Sequence, residues 1–124
     1  MKILVVDDDA LAGELTGAVL EDAGYEVVLA TNAMEAMEAL DDAPAEAPVA
    51  LIVSDMHMPM ISGIELFQTL RDQAVMIPFV LLTGDDPRVL HQSEPRLDAC
   101  LLKDPTLEET LPGVLTRVLT QAGR

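Results

Sequence analysis

Polar side chains with the potential for chemistry each follow a short apolar run in this sequence. Aspartates 7–9 follow the first run, Asp55 the third, Thr83 the fourth and Lys103 the fifth. If the runs are parallel strands, their carboxyl ends meet at one edge of a sheet, which is where such sheets bind ligands. The pattern therefore predicts that carboxylates, a hydroxyl and an ammonium group converge on one rim.

The combination of these groups indicates a metal-assisted phosphoryl site. Carboxylates a few ångströms apart repel each other and are driven to bind a proton unless a cation joins them. Oxygen donors without a cysteine or histidine pair favour Mg²⁺ over Zn²⁺. A hydroxyl and a lysine beside the metal suit a phosphoryl group, whose oxygens must be neutralised during transfer. Asp55, alone on the middle run, is the natural nucleophile, because a carboxylate can form an acyl phosphate.

The elements that position these groups alternate along the chain. Apolar runs of four residues are continuous rather than alternating, which is typical of strands buried on both faces. The predicted strands cover residues 3–6, 27–30, 50–53, 79–82 and 99–102.

Stretches with helical spacing separate the strands. Leu11, Leu15 and Val19 fall at i, i+4 and i+8, and Gly24 follows as a stop. The other predicted apolar faces comprise Ala33, Met37 and Leu40; Ile64, Phe67 and Leu70; and Leu107, Leu111, Val114, Leu115 and Val118.

Local residues indicate where several helices begin. One aspartate of the triplet, Asp9, is expected to serve as an N-cap. Asn32 with Glu35, and Thr106 with Glu109, have capping-box spacing.

Prolines limit two of the helices. Pro87 and Pro95 bracket a stretch that predicts only a short or irregular fourth helix. Pro112 predicts that the last helix either kinks there or begins near it. The segment 41–48, DDAPAEAP, is predicted to be a long loop.

Five strands alternating with five helices predict an α/β fold with a parallel sheet covered on both faces. The common small solution is the flavodoxin-like, doubly wound (βα)5 arrangement, with strand order 2-1-3-4-5. At 124 residues the chain is expected to be a single domain, residues 1–124. The second strand lies at the edge in this order and brings no charge to the rim.

Composition excludes several classes of function. A net charge of −15 argues against direct binding of nucleic acid or an anionic membrane. No apolar run approaches the roughly 20 residues that cross a bilayer, and no signal-peptide pattern precedes the first charges. The single cysteine, Cys100, lies among apolar residues and is interpreted as a buried reduced thiol. We therefore expect a cytoplasmic protein.

Four motifs in order resemble the receiver domain of two-component response regulators over essentially the whole chain. The motifs are KILVVDDD (2–9), LIVSDMHMPMISG (51–63), VLLTG (80–84) and LLKDP (101–105). Any one of them would be weak evidence, but their combination is highly specific. The overall resemblance is to the chemotaxis-regulator type of receiver.

The resemblance implies a role for each matching position. Asp55 matches the phospho-acceptor, and Mg²⁺ would be bound by Asp55, by Asp8 directly, by Asp7 through water, and by the backbone carbonyl of His57. The positions that match phosphoryl-binding residues are Thr83, Gly84 and Lys103. Pro59 and Gly63 match the turn that shapes the loop after the acceptor.

The chain departs from the family pattern after its fifth strand. Lys103 is followed by Asp104, where the family has a proline that forms a cis bond, and Cys100 stands where an aromatic switch residue is usual. His57 and Asp85 occupy positions that influence acyl-phosphate lifetime in the family. Two roles stay open: the His57 imidazole screens the acyl phosphate from water, or Asp85 positions a water molecule. His91 is interpreted as a surface residue.

The resemblance implies a signalling receiver with Mg²⁺ as its cofactor. Its expected partners are a sensor histidine kinase or histidine phosphotransfer protein as donor, and a downstream protein or output domain as target. It is not expected to be a turnover enzyme, although self-catalysed phosphorylation and slow autodephosphorylation are expected. We also expect no direct nucleic-acid binding, no membrane association, and a monomer or weak dimer.

Two alternatives remain open at this point. One is a receiver that binds proteins independently of phosphorylation. The other is a phosphatase resembling the haloacid dehalogenases, with Asp7 as nucleophile and Asp9 as acid/base. That second alternative lacks a late acidic pair and leaves Asp55 unexplained.

Overall fold

A computed structural model describes residues 1–122, so residues 123 and 124 of the predicted domain lie outside the description. All five predicted strands and all five predicted helices are present, in the predicted order. The elements are β1 Lys2–Val6, α1 Ala10–Asp22, β2 Glu26–Ala30, α2 Ala33–Asp42, β3 Val49–Asp55, α3 Gly63–Asp72, β4 Phe79–Thr83, α4 Pro87–Ser93, β5 Ala99–Leu102 and α5 Leu107–Ala122.

The strands form one parallel sheet in the order β2-β1-β3-β4-β5, as the sequence predicted. The register pairs Val6 of β1 with Ser54 of β3. It also pairs Thr83 of β4 with Leu102 of β5. Every strand therefore ends at the same edge, which brings the residues that follow the apolar runs onto one rim. The flavodoxin-like fold is confirmed.

Alternate residues of the strands supply two separate cores, one on each face of the sheet. On one face, α2 and α3 pack against the sheet around Phe67 and Phe79. On the other face, Leu20 of α1 and Leu111 and Leu115 of α5 cover the sheet. The continuous apolar runs arise because both faces of each central strand are covered.

Helix α1 forms where predicted, but its predicted apolar face is not its buried face. Leu11 is 64% exposed and Leu15 is 58% exposed, and the buried side instead includes Thr16, Gly17 and Leu20. A Cβ on Gly17 would lie 3.2 Å from the Val27 side chain. The helix lies so close to β2 that small residues must face this strand, which leaves Leu11 and Leu15 in solvent.

Two other helices depart from or refine the predictions. Helix α4 has only 7 residues, which confirms the prediction that it is short. None of these residues is buried. Helix α5 begins at Leu107 and continues through Pro112 to Ala122, so it does not begin near the proline. His91 of α4 is partly buried and its Nε2 lies 2.9 Å from the Leu97 carbonyl oxygen. His91 thus lies at the surface, as interpreted, but it also makes a hydrogen bond that was not predicted.

The capping predictions are confirmed in part. Asp9 caps α1 by accepting from the amides of Leu11 and Ala12. Asn32 caps α2 by accepting from the Glu35 amide, but the Glu35 carboxylate bonds Thr31 and does not complete a capping box.

A complete capping box lies elsewhere, at α3. Ser62 accepts from the amide of Glu65, and the Glu65 carboxylate accepts from the amide of Ser62. Sequence reasoning missed this pair, although serine followed three residues later by glutamate has the required spacing.

Candidate functional site

Three acidic side chains meet at the carboxyl-end rim of the sheet. Asp7, Asp8 and Asp55 each place one carboxylate oxygen within 4.8 Å of the others, and among residues 1–122 this is the group suited to a metal ion. Asp7 is 3% exposed and Asp55 is 7% exposed, whereas Asp8 faces solvent. The cluster is therefore buried on one side and open on the other.

Lys103, which follows β5, contacts two of the three carboxylates. Its Nζ lies 2.9 Å from Asp7 Oδ2 and 3.6 Å from Asp55 Oδ1. Burial works against the charged lysine, but its hydrogen bond to Asp7 and the charges of Asp55 and Asp7 outweigh burial and raise its pKa. Lys103 is thus held protonated in the place where an incoming anion would need a cation.

Charge in the cluster is unbalanced, because three carboxylates face one ammonium group. Burial is the largest cause that raises the pKa of Asp55; Asp7 and Asp8 raise it further, while Lys103 and the His57 backbone amide lower it. Such a site lacks positive charge, and carboxylate oxygens open to solvent on one side are suitable ligands for Mg²⁺. The residues present therefore fit the predicted metal.

Thr83 and Gly84 lie at the end of β4, the strand that pairs with the one carrying Asp55. Thr83 is fully buried, and its hydroxyl oxygen accepts a hydrogen bond from the Asp85 amide at 3.0 Å. The hydroxyl proton stays available for an acceptor at the rim. A Cβ built on Gly84 would meet no atom within 4 Å, so there is open space beside the threonine.

The loop that follows Asp55 is built around a close approach of two backbone segments. A Cβ on Gly63 would lie 2.5 Å from the Asp55 carbonyl oxygen, and the Gly63 amide donates to the Met56 carbonyl at 2.9 Å. Only glycine fits this contact, so Gly63 fixes the distance between α3 and the acceptor strand. Met60, just after Pro59, has φ of 71°, a conformation that side chains other than glycine rarely adopt.

A link between the two loops of the rim was not predicted. His57 Nε2 and Asp85 Oδ2 lie 2.9 Å apart, which joins the loop after β3 to the loop after β4. Both residues occupy positions that were expected to influence acyl-phosphate lifetime, but their contact was not predicted. Their side chains are 65% and 70% exposed, so the link lies at the outer surface of the site.

Lys103 is positioned without the family's proline. Its amide donates to the Thr83 carbonyl at 2.7 Å, which extends the β4–β5 pairing by one residue. Asp104 then turns the chain, because its carboxylate accepts from the Thr106 amide at 2.9 Å. No cis peptide bond occurs between residues 1 and 122.

Cys100 is partly buried against the core on the α3 side of the sheet. Burial raises the pKa of its thiol to about 11. The thiol therefore stays protonated near neutral pH, consistent with the predicted packing role for this residue.

A second cluster of charges lies at the opposite end of the sheet, and sequence reasoning missed it. The Arg71 guanidinium lies 4.5 Å from the centre of the Phe67 ring, and Arg96 lies 5.4 Å from the same ring. Arg96 Nε donates to Glu94 at 2.7 Å, and Arg71 lies 3.8 Å from Asp98. This amino-end cluster (Phe67, Arg71, Glu94, Arg96 and Asp98) ties the α4–β5 connection to α3.

Comparison with known families agrees with this geometry. The family model described as "Response regulator receiver domain" matches residues 3–112. The chain therefore belongs to the response regulator receiver domain family. Receiver domains are signalling modules of two-component systems and are generally not turnover enzymes.

Individual relatives give the same result. The alkaline phosphatase synthesis transcriptional regulatory protein PhoP of Bacillus subtilis is 42% identical over 85 residues, which cover 68% of this chain and 34% of PhoP. This chain thus corresponds to about a third of that regulator's length.

Solved structures share the fold. The chemotaxis response regulator CheY4 of Vibrio cholerae superposes with a TM-score of 0.80 at 31% identity, covering 94% of this chain and 97% of that one. TrrA of Thermotoga maritima, solved in complex with Mg²⁺ and BeF, gives a TM-score of 0.80 at 28% identity, with the same coverage of 94% and 97%.

Proposed function

We propose that Asp55 accepts a phosphoryl group from a phosphohistidine on a sensor kinase or phosphotransfer protein, in a reaction that depends on Mg²⁺. The observation that carries this proposal is the convergence of Asp7, Asp8 and Asp55 with Lys103 on one rim. Three carboxylates facing one ammonium group leave an excess of negative charge. A bound divalent cation would neutralise this excess and so allow an anionic phosphoryl group to approach Asp55.

The chain's own groups would divide the work as follows. Asp8 and Asp55 are proposed to bind Mg²⁺ directly, with Asp7 acting through water and His57 through its backbone carbonyl. Bound Mg²⁺ neutralises negative charge on the phosphoryl oxygens. Lys103 supplies the second positive charge, and the Thr83 hydroxyl donates to a phosphoryl oxygen in the space beside Gly84.

The transfer step requires only one displacement at phosphorus. A carboxylate oxygen of Asp55 forms the new P–O bond while the P–N bond to the donor imidazole breaks, and that electron pair returns to the imidazole nitrogen. The acyl phosphate is lost when water attacks it, which gives slow autodephosphorylation without turnover of an external substrate. Self-catalysed phosphorylation by small donors follows from the same geometry.

Two leucines of α1, Leu11 and Leu15, are exposed to solvent. Leu15, Leu111 and Lys103 are among the residues lining a groove with a volume of about 380 Å³ between α1 and α5. Leu11 is on the same helix. We propose that an apolar helix of the donor packs here, which would bring its phosphohistidine to the rim.

Phosphorylation is proposed to shift the conformation of the domain and so control a partner or an output domain. We propose that residues 1–124 act as one receiver unit in the cytoplasm, as a monomer or weak dimer, and without direct contact to nucleic acid. Within residues 1–122, no helix combines the length and the apolar character needed to cross a bilayer.

A small phosphoramidate donor tests the proposal, because its P–N bond resembles that of phosphohistidine. With Mg²⁺ present, the wild-type protein should gain one phosphoryl group, and removal of Mg²⁺ by a chelator should prevent the gain. Asp55→Asn should gain none. Asp9→Asn is the matched control, since asparagine also caps a helix, and it should react like the wild type. Equal labelling of Asp55→Asn would contradict the proposal.

The donor surface has a separate test. Leu15→Ser should slow transfer from a phosphorylated histidine phosphotransfer protein and leave the rate with phosphoramidate unchanged. The side chain is exposed, so the substitution should have little effect on folding. Equal rates of wild type and variant with the protein donor would contradict this part of the proposal.

The alternatives from the sequence analysis have weaker support. Asp9 caps α1, and the acids after Lys103 do not join the metal-suited group, so nothing in residues 1–122 supports a phosphatase arrangement. A receiver that binds partners independently of phosphorylation would bind them equally well after Asp55→Ala.

A further inference from the structure

The bridge between His57 and Asp85 connects the acceptor loop to the loop that leads into α4. His57 lies two residues after Asp55, and Asp85 lies two residues after Thr83. Their side chains meet at 2.9 Å across the outer surface of the rim. No other side-chain hydrogen bond or ion pair among residues 1–122 joins these two loops.

Asp85 also lies at the junction between the site and a helix. Its amide donates to the Thr83 hydroxyl oxygen at 3.0 Å. The next residue, Asp86, is the N-cap of α4 and accepts from the Arg88 amide at 3.0 Å. A movement of Asp85 therefore acts on Thr83 on one side and on the beginning of α4 on the other.

Helix α4 has few contacts of its own that would resist such a movement. None of its 7 residues is buried, and Leu90 is its partly buried contact with the core. Its carboxyl end is attached by the bond of His91 to the Leu97 carbonyl and by the bond of Gln68 to Glu94. The amino end of α4 therefore depends on the His57–Asp85 bridge more than the carboxyl end does.

We propose that the His57–Asp85 bridge couples the phosphoryl site to the amino end of α4, an inference that rests on the proposed phosphorylation of Asp55. A phosphoryl group on Asp55 brings oxygen acceptors to the rim beside the two loops. These oxygens compete with the Asp85 carboxylate for the N–H donor of His57, so the bridge opens. Opening releases Asp85 and the first turn of α4.

Amide hydrogen exchange of residues 86–93 measures this coupling in the full chain. Without a phosphodonor, His57→Ala and Asp85→Ala should each raise exchange in this segment by about two- to five-fold, the range expected for an exposed ion pair. The double variant should match the single ones, because both remove the same bond. Lys2→Ala, which breaks the surface pair with Glu26 at the other end of the sheet, is the control and should leave the segment unchanged.

The phosphorylated state supplies the second half of the test. After phosphorylation by phosphoramidate and Mg²⁺, the wild type should show a similar rise in exchange, and His57→Ala should show little further rise. Unchanged exchange in the unphosphorylated single variants would overturn the coupling. So would a phosphorylation-dependent rise in His57→Ala as large as that in the wild type. Mass measurement on the same samples separates this result from failure of phosphorylation, which would instead overturn the proposed function.

Discussion

Two clusters of charged side chains lie at opposite ends of the same sheet, and they differ in charge balance. At the carboxyl-end rim, Asp7, Asp8 and Asp55 face only Lys103. At the amino end, two carboxylates, Glu94 and Asp98, face two guanidinium groups, Arg71 and Arg96, around the Phe67 ring.

The difference indicates what each cluster does. The amino-end cluster satisfies its own charges, so removing a member should weaken the fold. The rim leaves carboxylates in excess, so adding positive charge or removing an acid should strengthen the fold. Charge arranged at a cost to stability is typical of functional sites, whereas balanced charge is typical of structural ones.

The largest effect is expected at Arg71. Arg71→Met removes the ion pair with Asp98, the hydrogen bond to the Val75 carbonyl and the contact with the Phe67 ring. The Arg71 side chain is only 9% exposed. We expect the free energy of unfolding to fall by about 3 kcal/mol in urea titrations.

Arg88→Met is the matched control for that change. Its side chain is 87% exposed and pairs with Asp86 within the first turn of α4. It should change stability by less than about 0.5 kcal/mol. A loss at Arg88 equal to that at Arg71 would contradict a structural role for the amino-end cluster.

Mg²⁺ should produce the second-largest effect, and with the opposite sign. At a concentration about 100-fold above its dissociation constant, Mg²⁺ should raise the free energy of unfolding of the wild type by about 2.7 kcal/mol. Asp8→Asn should lose most of this gain, because it removes a carboxylate of the metal-suited group. Arg71→Met should retain the full gain, and a loss there would indicate that the metal binds elsewhere.

Glu94 should show a smaller loss with a defined pH dependence. Glu94 is 6% exposed, and its hydrogen bond with Arg96 lowers its pKa from 4.5 to about 2. Because the pKa is lowered on folding, the ionised group stabilises the protein above pH 4.5 and loses that contribution as the pH falls towards 2.

Glu94→Gln should therefore lower the free energy of unfolding by about 1–2 kcal/mol at pH 7. The difference from the wild type should shrink as the pH falls from 4.5 towards 2. Urea titrations across this pH range measure it, and a difference that stays constant would contradict the assigned cause.

Asp55→Asn should give the smallest effect, a gain in stability. The pKa of Asp55 is raised above 3.8, chiefly by burial, so the folded protein holds this proton more tightly than the unfolded chain does. The fold therefore loses stability as the pH rises from 3.8 through the folded-state pKa, and this loss is absent below 3.8. In the absence of Mg²⁺ at pH 7, the variant should be more stable by on the order of 1 kcal/mol.

The two clusters also differ in how far they could be predicted from the sequence. The rim could be predicted, because its residues follow apolar runs whose carboxyl ends must meet in a parallel sheet. The alternating pattern predicted the parallel sheet, and the strand order was predicted as the common arrangement of small sheets of this class. The resemblance added roles for individual positions. The structure brings Asp7, Asp8, Asp55 and Lys103 together, and Thr83 ends the neighbouring strand at the same edge.

The amino-end cluster was not predictable in the same way. Arg71 of α3 and Asp98 before β5 lie far apart in the sequence, and no periodic pattern connects them. The His57–Asp85 bridge joins residues 28 apart in two loops, where side-chain direction depends on turn geometry. The buried face of α1 was predicted wrongly for another reason. Tight packing against β2 requires small residues on the buried side, so the apolar residues at helical spacing, Leu11 and Leu15, lie on the exposed side.

The most direct test of the account is peptide mapping of the wild type after incubation with a small phosphodonor and Mg²⁺. The phosphoryl group should be found on one peptide, the one that contains Asp55, and its labelling should depend on Mg²⁺. Peptides that contain Asp7 or Asp8 should carry none. Phosphoryl mass on another residue, or no phosphoryl mass with the folded protein and Mg²⁺ present, would contradict the assignment of the rim as a phospho-accepting site.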